Sequence, residues 1–256
     1  MISQHRILSI HTFSLCAAAL AAMPCLAQTA DPAGTQWGLG VAAGVRQRAY
    51  RSDDADKRVL PLPFVDSKWF RLAGTGADLK LPSVGPVAFA LRATYQFDGY
   101  HSGDAPILAG LPDRKGSVWL GGAATWHDPM ADVSLAWLAD VSGHSDGQQL
   151  RLNIDRGFPM GAFELRPRIG ATWLDRKYVG YYYGVLADDA EAGRPAYTGA
   201  STVDAEIGLR TSYRIDRHQL LYLDTGVTHL GDSITNSPLV GRGTLGTTAV
   251  GYLYRF

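Results

Sequence analysis

The chain has 256 residues with 24 Lys+Arg against 24 Asp+Glu, a formal net charge of zero that offers nothing to a polyanion such as nucleic acid. Its only cysteines, Cys16 and Cys25, lie near the N-terminus, so the rest of the chain has neither a disulfide framework nor a thiolate metal site. Hydrophobic residues make up 46% of the sequence, yet no window beyond the N-terminal segment holds the ~18 consecutive apolar residues of a spanning helix.

The first element is a leader. Met1–Arg6 is short and basic, and residues 7–22 form an apolar run too short for the roughly 20 residues that cross a bilayer. Met23-Pro24-Cys25-Leu26-Ala27 then supplies a helix breaker and small residues, which reads as a secretory signal peptide, 1–27, cut after Ala27. The remainder, 28–256, reads as one all-β domain.

From Trp37 onward the pattern has a period of two. Trp37, Leu39, Val41, Ala43 and Val45 alternate with small residues and Arg46; Val87, Phe89, Leu91, Ala93, Tyr95 and Phe97 alternate with Ala88, Ala90, Arg92, Thr94 and Gln96. The same alternation recurs through Val118–His127, Val133–Val141, Gln149–Asp155, Phe163–Trp173 and Val203–Arg214, and closes the chain in "AVGYLYRF". One face is lipid-like and the other is charged. A soluble sandwich also alternates, but it has no need of strands of about 12 residues with aromatics at their ends. A secreted chain with this pattern fits a transmembrane antiparallel β-barrel in the outer membrane of a Gram-negative cell, because only closure pairs every backbone group in lipid without a hydrophobic helix.

Counting back from a periplasmic C-terminus places strands near 243–256, 218–230, 200–215, 161–175, 147–157, 131–142, 116–127, 84–97, 69–81 and 37–50, about ten in all, with short turns inside and long loops outside. Pro61 and Pro63 demote Val59–Phe64 from strand status; if that stretch pairs, and the Tyr-rich stretch near Tyr181 adds another strand, the count becomes twelve. The terminal Tyr252, Tyr254 and Phe256 resemble the C-terminal signal that barrel-assembly machinery recognises.

Four ordered segments carry a further resemblance: "RVLPLPFVDSKWFRLAG" from Arg58, "RKYVGYYYGV" from Arg176, "AGRPAYTGA" from Ala192 and "LGDSITNSPLV" from Leu230, with the terminal "YRF". Together they resemble the MipA/OmpV family across essentially the whole mature chain, departing from it where Ser201-Thr202-Val203 replaces a glycine-richer strand start. The resemblance implies an outer-membrane barrel and, as in one member, a scaffold joining a lytic transglycosylase to a bifunctional penicillin-binding protein; other members imply osmotic, adhesive or solute-passage roles.

Catalytic readings weigh less. "GDSI" around Ser233 mimics an esterase nucleophile motif but opens a late loop, and Asp140, His144 and Asp146 fit a polar turn better than a hydrolytic site. His101, His127, His218 and His229 stand apart with no metal spacing, so no cofactor is expected and the chain reads as a non-enzyme. Arg46, Arg48, Arg92, Arg151, Glu164, Arg166, Arg168, Glu206, Arg210 and Arg214 are too costly for lipid and are expected to line the lumen. Paired with Asp140, Asp155 and Asp204 they would plug it; water-filled, this basic lining would make a narrow pore for small polar, anionic solutes. The acidic groups Asp53, Asp54 and Asp56, and Asp188, Asp189 and Glu191, read as solvated loop tips, with cation bridging to lipopolysaccharide or an adhesive surface as the rival. The expected surroundings are outer-membrane lipid and lipopolysaccharide.

Overall fold

The computed structural model describes residues 34–53 and 55–256, so the leader expected over 1–27 lies outside the described residues. The alternating segments form β1 (Gln36–Arg46), β2 (Asp56–Asp66), β3 (Phe70–Ala73), β4 (Gly76–Val84), β5 (Val87–Gln96), β6 (Ser117–His127), β7 (Asp132–Asp140), β8 (Gln148–Asp155), β9 (Phe158–Met160), β10 (Phe163–Leu174), β11 (Thr202–Arg214), β12 (Gln219–His229) and β13 (Thr244–Arg255). Two helices, α1 (Arg176–Tyr183) and α2 (Asp232–Thr235), lie in the connections that follow β10 and β12. β8 and β9 pair with successive stretches of β10 and make one stave, so the 13-stranded sheet is a closed antiparallel barrel of 12 staves.

Closure depends on the chain's two ends. β13 pairs with β1 from Gly38↔Arg255 to Arg46↔Thr247, and the Phe256 N–H donates to the Trp37 carbonyl at 2.8 Å. The aromatic tail is therefore part of the wall. Its outward residues join a lipid-facing band that includes Leu39, Ile207 and Val227, with Ile207 62% exposed. Around the periplasmic ends Phe163 meets Tyr213 at 4.6 Å and Tyr254 meets Phe256 at 5.3 Å, the amphipathic girdle of a membrane boundary. No helix among the described residues is long and apolar enough to cross a membrane; the strands do the crossing.

Twelve staves is the higher of the two counts read from the sequence, but one extra strand arises elsewhere than expected. The stretch containing Pro61 and Pro63 is β2, paired with β1 along its whole length. The prolines are tolerated because the Pro63 carbonyl accepts from Gly74 N–H on the β3 side, so these residues turn their missing donors away from β1. β3 is only four residues long, so it demands few donors from β2. The segment expected as one strand over 69–81 instead folds back at Gly74 and Thr75, where Gly74 has a positive φ of 59°, giving the β3–β4 hairpin. The Tyr-rich stretch adds no strand: it is α1.

Glycine placement sets how closely β6 and β7 approach. A Cβ on Gly121 would strike the Trp137 carbonyl oxygen, whereas one on its neighbour Gly122 meets nothing within 4 Å. Gly121→Val should therefore cost about 1–3 kcal/mol through overpacking. Gly122→Val should stay within about 0.5 kcal/mol of the parent or gain by stiffening the strand. Urea titration of both variants refolded into detergent, read by heat-modifiable gel mobility, checks the contrast.

Candidate functional site in the barrel lumen

The outer mouth carries a packed cap built from the long connections. Asp175 caps α1 by accepting from Tyr178 N–H, and the helix turns Tyr178, Val179, Tyr182 and Tyr183 into a core with Trp119, Leu138, Leu174 and Leu245 from the strand ends. Tyr50, Tyr100, Leu108, Leu111, Ile234, Leu239 and Val240 complete it from the other loops. Aromatic contacts run from Trp119 to Tyr178 (5.9 Å), on to Tyr182 (4.8 Å), and between Tyr50 and both Tyr183 (5.8 Å) and Tyr100 (5.0 Å).

Polar ties fix the cap's parts to one another. Tyr50 OH donates to the Tyr182 carbonyl (3.1 Å), Ser237 Oγ donates to the Tyr183 carbonyl (2.7 Å), and Tyr197 OH donates to the Ser233 carbonyl (2.7 Å). Arg194 donates to the carbonyls of Ile107 and Ala109, joining two separate loops. Burial pushes the Tyr50 and Tyr182 phenols up, so both remain protonated donors. Ser233 of the "GDSI" stretch has a structural task here: its Oγ accepts from Ala200 N–H at 2.7 Å. Asp140 likewise accepts from Ser117, Ser142 and Ser145 and knots the β7–β8 turn, while His144 Nδ1 bonds the Gly116 carbonyl.

Below the cap the inward charges form ion pairs. Arg168 of β10 reaches past β11 to Asp224 of β12 (3.0 Å) and holds Glu206 through Nε (2.8 Å); Arg210 meets the same Asp224 at 2.7 Å. Gly208 makes the reach feasible, because a Cβ there would overlap the Arg168 guanidinium. Arg166 bonds Asp155 (2.7 Å) and Glu164 (2.8 Å), and Arg92 forks onto Asp78 with two bonds of 2.8 Å. Near the rim Arg46 meets Asp98 (3.3 Å), and Arg48 meets Asp104 (2.8 Å) and Asp53 (3.1 Å). Arg151 donates to Gln149 at 3.2 Å; among the described residues it and Arg214 have no carboxylate partner. Of the acids first considered as partners, Asp155 forms an ion pair, while Asp204 accepts from Gly231 N–H and Asp140 from serines.

The acids that sequence reasoning missed are Asp78, Asp98, Asp104 and Asp224. Asp224 stands in phase with inward Leu220 and Tyr222, where the apolar neighbours give no signal of a charged partner. Asp98 and Asp104 lie in a loop, where period-two reasoning has nothing to count. Once they are included, the basic excess of the lining is largely neutralised in pairs.

Asp224 is 1% exposed and serves two guanidinium groups. Asp224→Ala should remove a carboxylate shared by two buried guanidinium groups, leaving Arg168 with Glu206 alone, and cost about 3–5 kcal/mol. Asp128→Ala in an exposed turn should cost under about 0.5 kcal/mol. Urea midpoints in detergent compare the two.

A model of the family described as MltA-interacting protein MipA matches residues 39–256. The putative outer membrane protein YiaT of Escherichia coli K12 is 25% identical over 243 residues, covering 93% of this chain and 97% of that protein. The MltA-interacting protein of Escherichia coli K12 is 26% identical over 227 residues, with 86% and 90% coverage, and OmpV of Vibrio cholerae is 27% identical over 141 residues, 55% of each chain. Among solved structures, an outer membrane channel from Pseudomonas putida F1 is similar with a TM-score of 0.47 at 11% identity, covering 89% of this chain and 97% of that one. The relatives are named as outer-membrane or interaction proteins, and the wall described above is of outer-membrane type. The chain belongs to the MipA family and is an outer-membrane β-barrel protein.

Proposed function

We propose that the chain is a non-enzymatic scaffold that holds a murein-remodelling enzyme, a lytic transglycosylase alone or together with a penicillin-binding protein, at the periplasmic face of the outer membrane. The observation that carries this reading is the packed cap on the outer mouth, which leaves the periplasmic rim as the accessible end. The name of the 26% identical MltA-interacting protein points the same way.

The rim turns are ordered enough to serve as a docking surface. Asp216 accepts from His218 N–H, Gln219 N–H and the Gln219 amide, bonds that hold its carboxyl below the usual range. Asp128 accepts from Met130 N–H, and Met130 projects 74% exposed. These turns are small, which favours a weak, reversible contact. The alternative is a narrow pore for small polar or anionic solutes, and the paired charges of the lining count against it. Arg46, Arg48, Arg92, Arg151, Glu164, Arg166, Arg168, Glu206, Arg210 and Arg214 are proposed as structural lining of a plugged lumen.

Replacing 128–131 and 215–218 with Gly-Ser should abolish co-purification of a murein hydrolase with the barrel from solubilised outer membranes, while heat-modifiable mobility persists. Undiminished recovery would overturn the scaffold reading. In planar bilayers the intact protein should be electrically silent, and steady anion-selective steps would establish the pore instead.

Tyr252, Tyr254 and Phe256 are proposed as the signal read by barrel-assembly machinery. Phe256 is 76% exposed at the membrane edge, where an acid costs about 1 kcal/mol or less. Phe256→Asp should consequently refold in detergent yet fail to insert in cells. Normal insertion would remove the signal role, and failure in detergent would assign the residue to closure alone.

A further inference from the structure

Among the described residues the wall has one low point. The β2–β3 ladder covers only Phe64–Asp66, and the β3–β4 hairpin turns back at Gly74 and Thr75, while β2 runs on through Pro63 to Asp56. On the far side of the hairpin β5 continues above the turn to Gln96. Between β2 and β5 two staves stop short. Two missing staves leave a window about 10–14 Å wide. Across its top, the Arg58 guanidinium lies 5.1 Å from the centre of the Phe97 ring, and Arg46 bonds Asp98.

The bounding groups have a definite chemistry. Because Pro63 directs its carbonyl toward β3, strand alternation directs the backbone groups of Pro61, Val59 and Lys57 into the window, where no described strand pairs with them. Pro61 has no N–H, so the edge is richer in acceptors than in donors. Behind the window, on the inner face of β5, Gln96 is buried in phase with Thr94 and Arg92. Val59 (66% exposed), Pro61, Leu79 and Tyr95 present an apolar outer surface around the window, and Lys57 stands exposed toward the outer end of β2.

In hydrocarbon an open sheet edge must be covered. Phospholipids carry acceptors but no donors at the level where their acyl chains begin. The acyl sugar of lipopolysaccharide carries amide N–H and 3-hydroxyl donors on its chains, together with phosphates suited to Lys57. We infer that the window is a binding site for lipid A of the outer leaflet, whose acyl chain lies over Val59 and Pro61. The β2 carbonyls accept from its amide and hydroxyl groups, and Lys57 meets a phosphate at the outer end of β2. This rests on the outer-membrane location of the barrel and is independent of the scaffold proposal.

The full chain refolded into vesicles containing phosphatidylglycerol and hexa-acylated lipid A, then extracted and weighed by native mass spectrometry, tests the site. The parent should retain lipid A in preference to phosphatidylglycerol. Lys57→Gln should weaken retention about tenfold, the scale of a lost charge-assisted hydrogen bond. A four-residue insertion after Gly74, which lengthens the hairpin into the window, should abolish retention, and heat-modifiable mobility identifies the folded fraction to be measured. A photo-crosslinking residue at Val59 should label lipid A, and one at Val227 should not. Preference for phosphatidylglycerol, equal retention by folded variants, or equal labelling at the two positions would each overturn the inference.

Discussion

The hydrocarbon of a bilayer supplies no hydrogen bonds, and the main features of this chain follow from that constraint. A strand inside the bilayer must have a partner on each side, so the last strand must find the first. The β1–β13 ladder is where that requirement is met, and it explains why the alternation continues to Phe256 rather than fraying. The ordinary hydrophobic argument is inverted: residues such as Ile207 and Leu39 are exposed because lipid is their solvent, while arginines are turned inward.

Turning charge inward creates a second problem, since a guanidinium among packed neighbours needs an anion. The wall solves it locally, with Arg166, Arg168 and Arg210 each held by carboxylates of their own or nearby staves. Small residues set the geometry of these contacts, as where Gly208 lets Arg168 pass to Asp224. A lumen stitched in this way is suited to rigidity, and the cap adds a hydrophobic core larger than the small clusters that Leu62 and Phe64 form inside the staves. The barrel accordingly has two stabilising regimes: ladder and ion pairs in the membrane, aromatic packing outside it.

Much of this was legible in the sequence because a period of two is a strong signal wherever one face meets lipid. Strand positions after Val87 and the outer placement of the loops after β5, β10 and β12 followed from alternation and turn residues. The misreadings share a cause: they concern partners, which one strand's pattern does not specify. Pro61 and Pro63 argue against a central strand, and their tolerance depends on how short β3 is. The segment 69–81 retains its alternation through the turn at Gly74, so the hairpin left little trace beyond the Gly-Thr-Gly sequence. The Tyr-rich stretch has aromatics suited to strand or helix, and its helical form is chosen by the Asp175 cap and the core it packs into. Asp98 and Asp104 became visible as partners only once the loop that carries them was placed over Arg46 and Arg48.

The segments that carry the family resemblance divide along the same line. "RKYVGYYYGV", "AGRPAYTGA" and "LGDSITNSPLV" meet in the cap, where Tyr197, Ser233, Ser237 and Tyr183 bond one another's segments. "RVLPLPFVDSKWFRLAG" instead forms β2 and β3, the one stretch of wall where two staves end low. A cap needs particular aromatics at particular loop positions, whereas a generic stave needs only alternation. The low wall here carries Pro61 and Pro63 on its open side and a glycine turn at its sill. The positions that depart from plain alternation are thus the ones where the chain either leaves the membrane or fails to seal it, and the second kind is the rarer, because lipid penalises every unpaired group it touches.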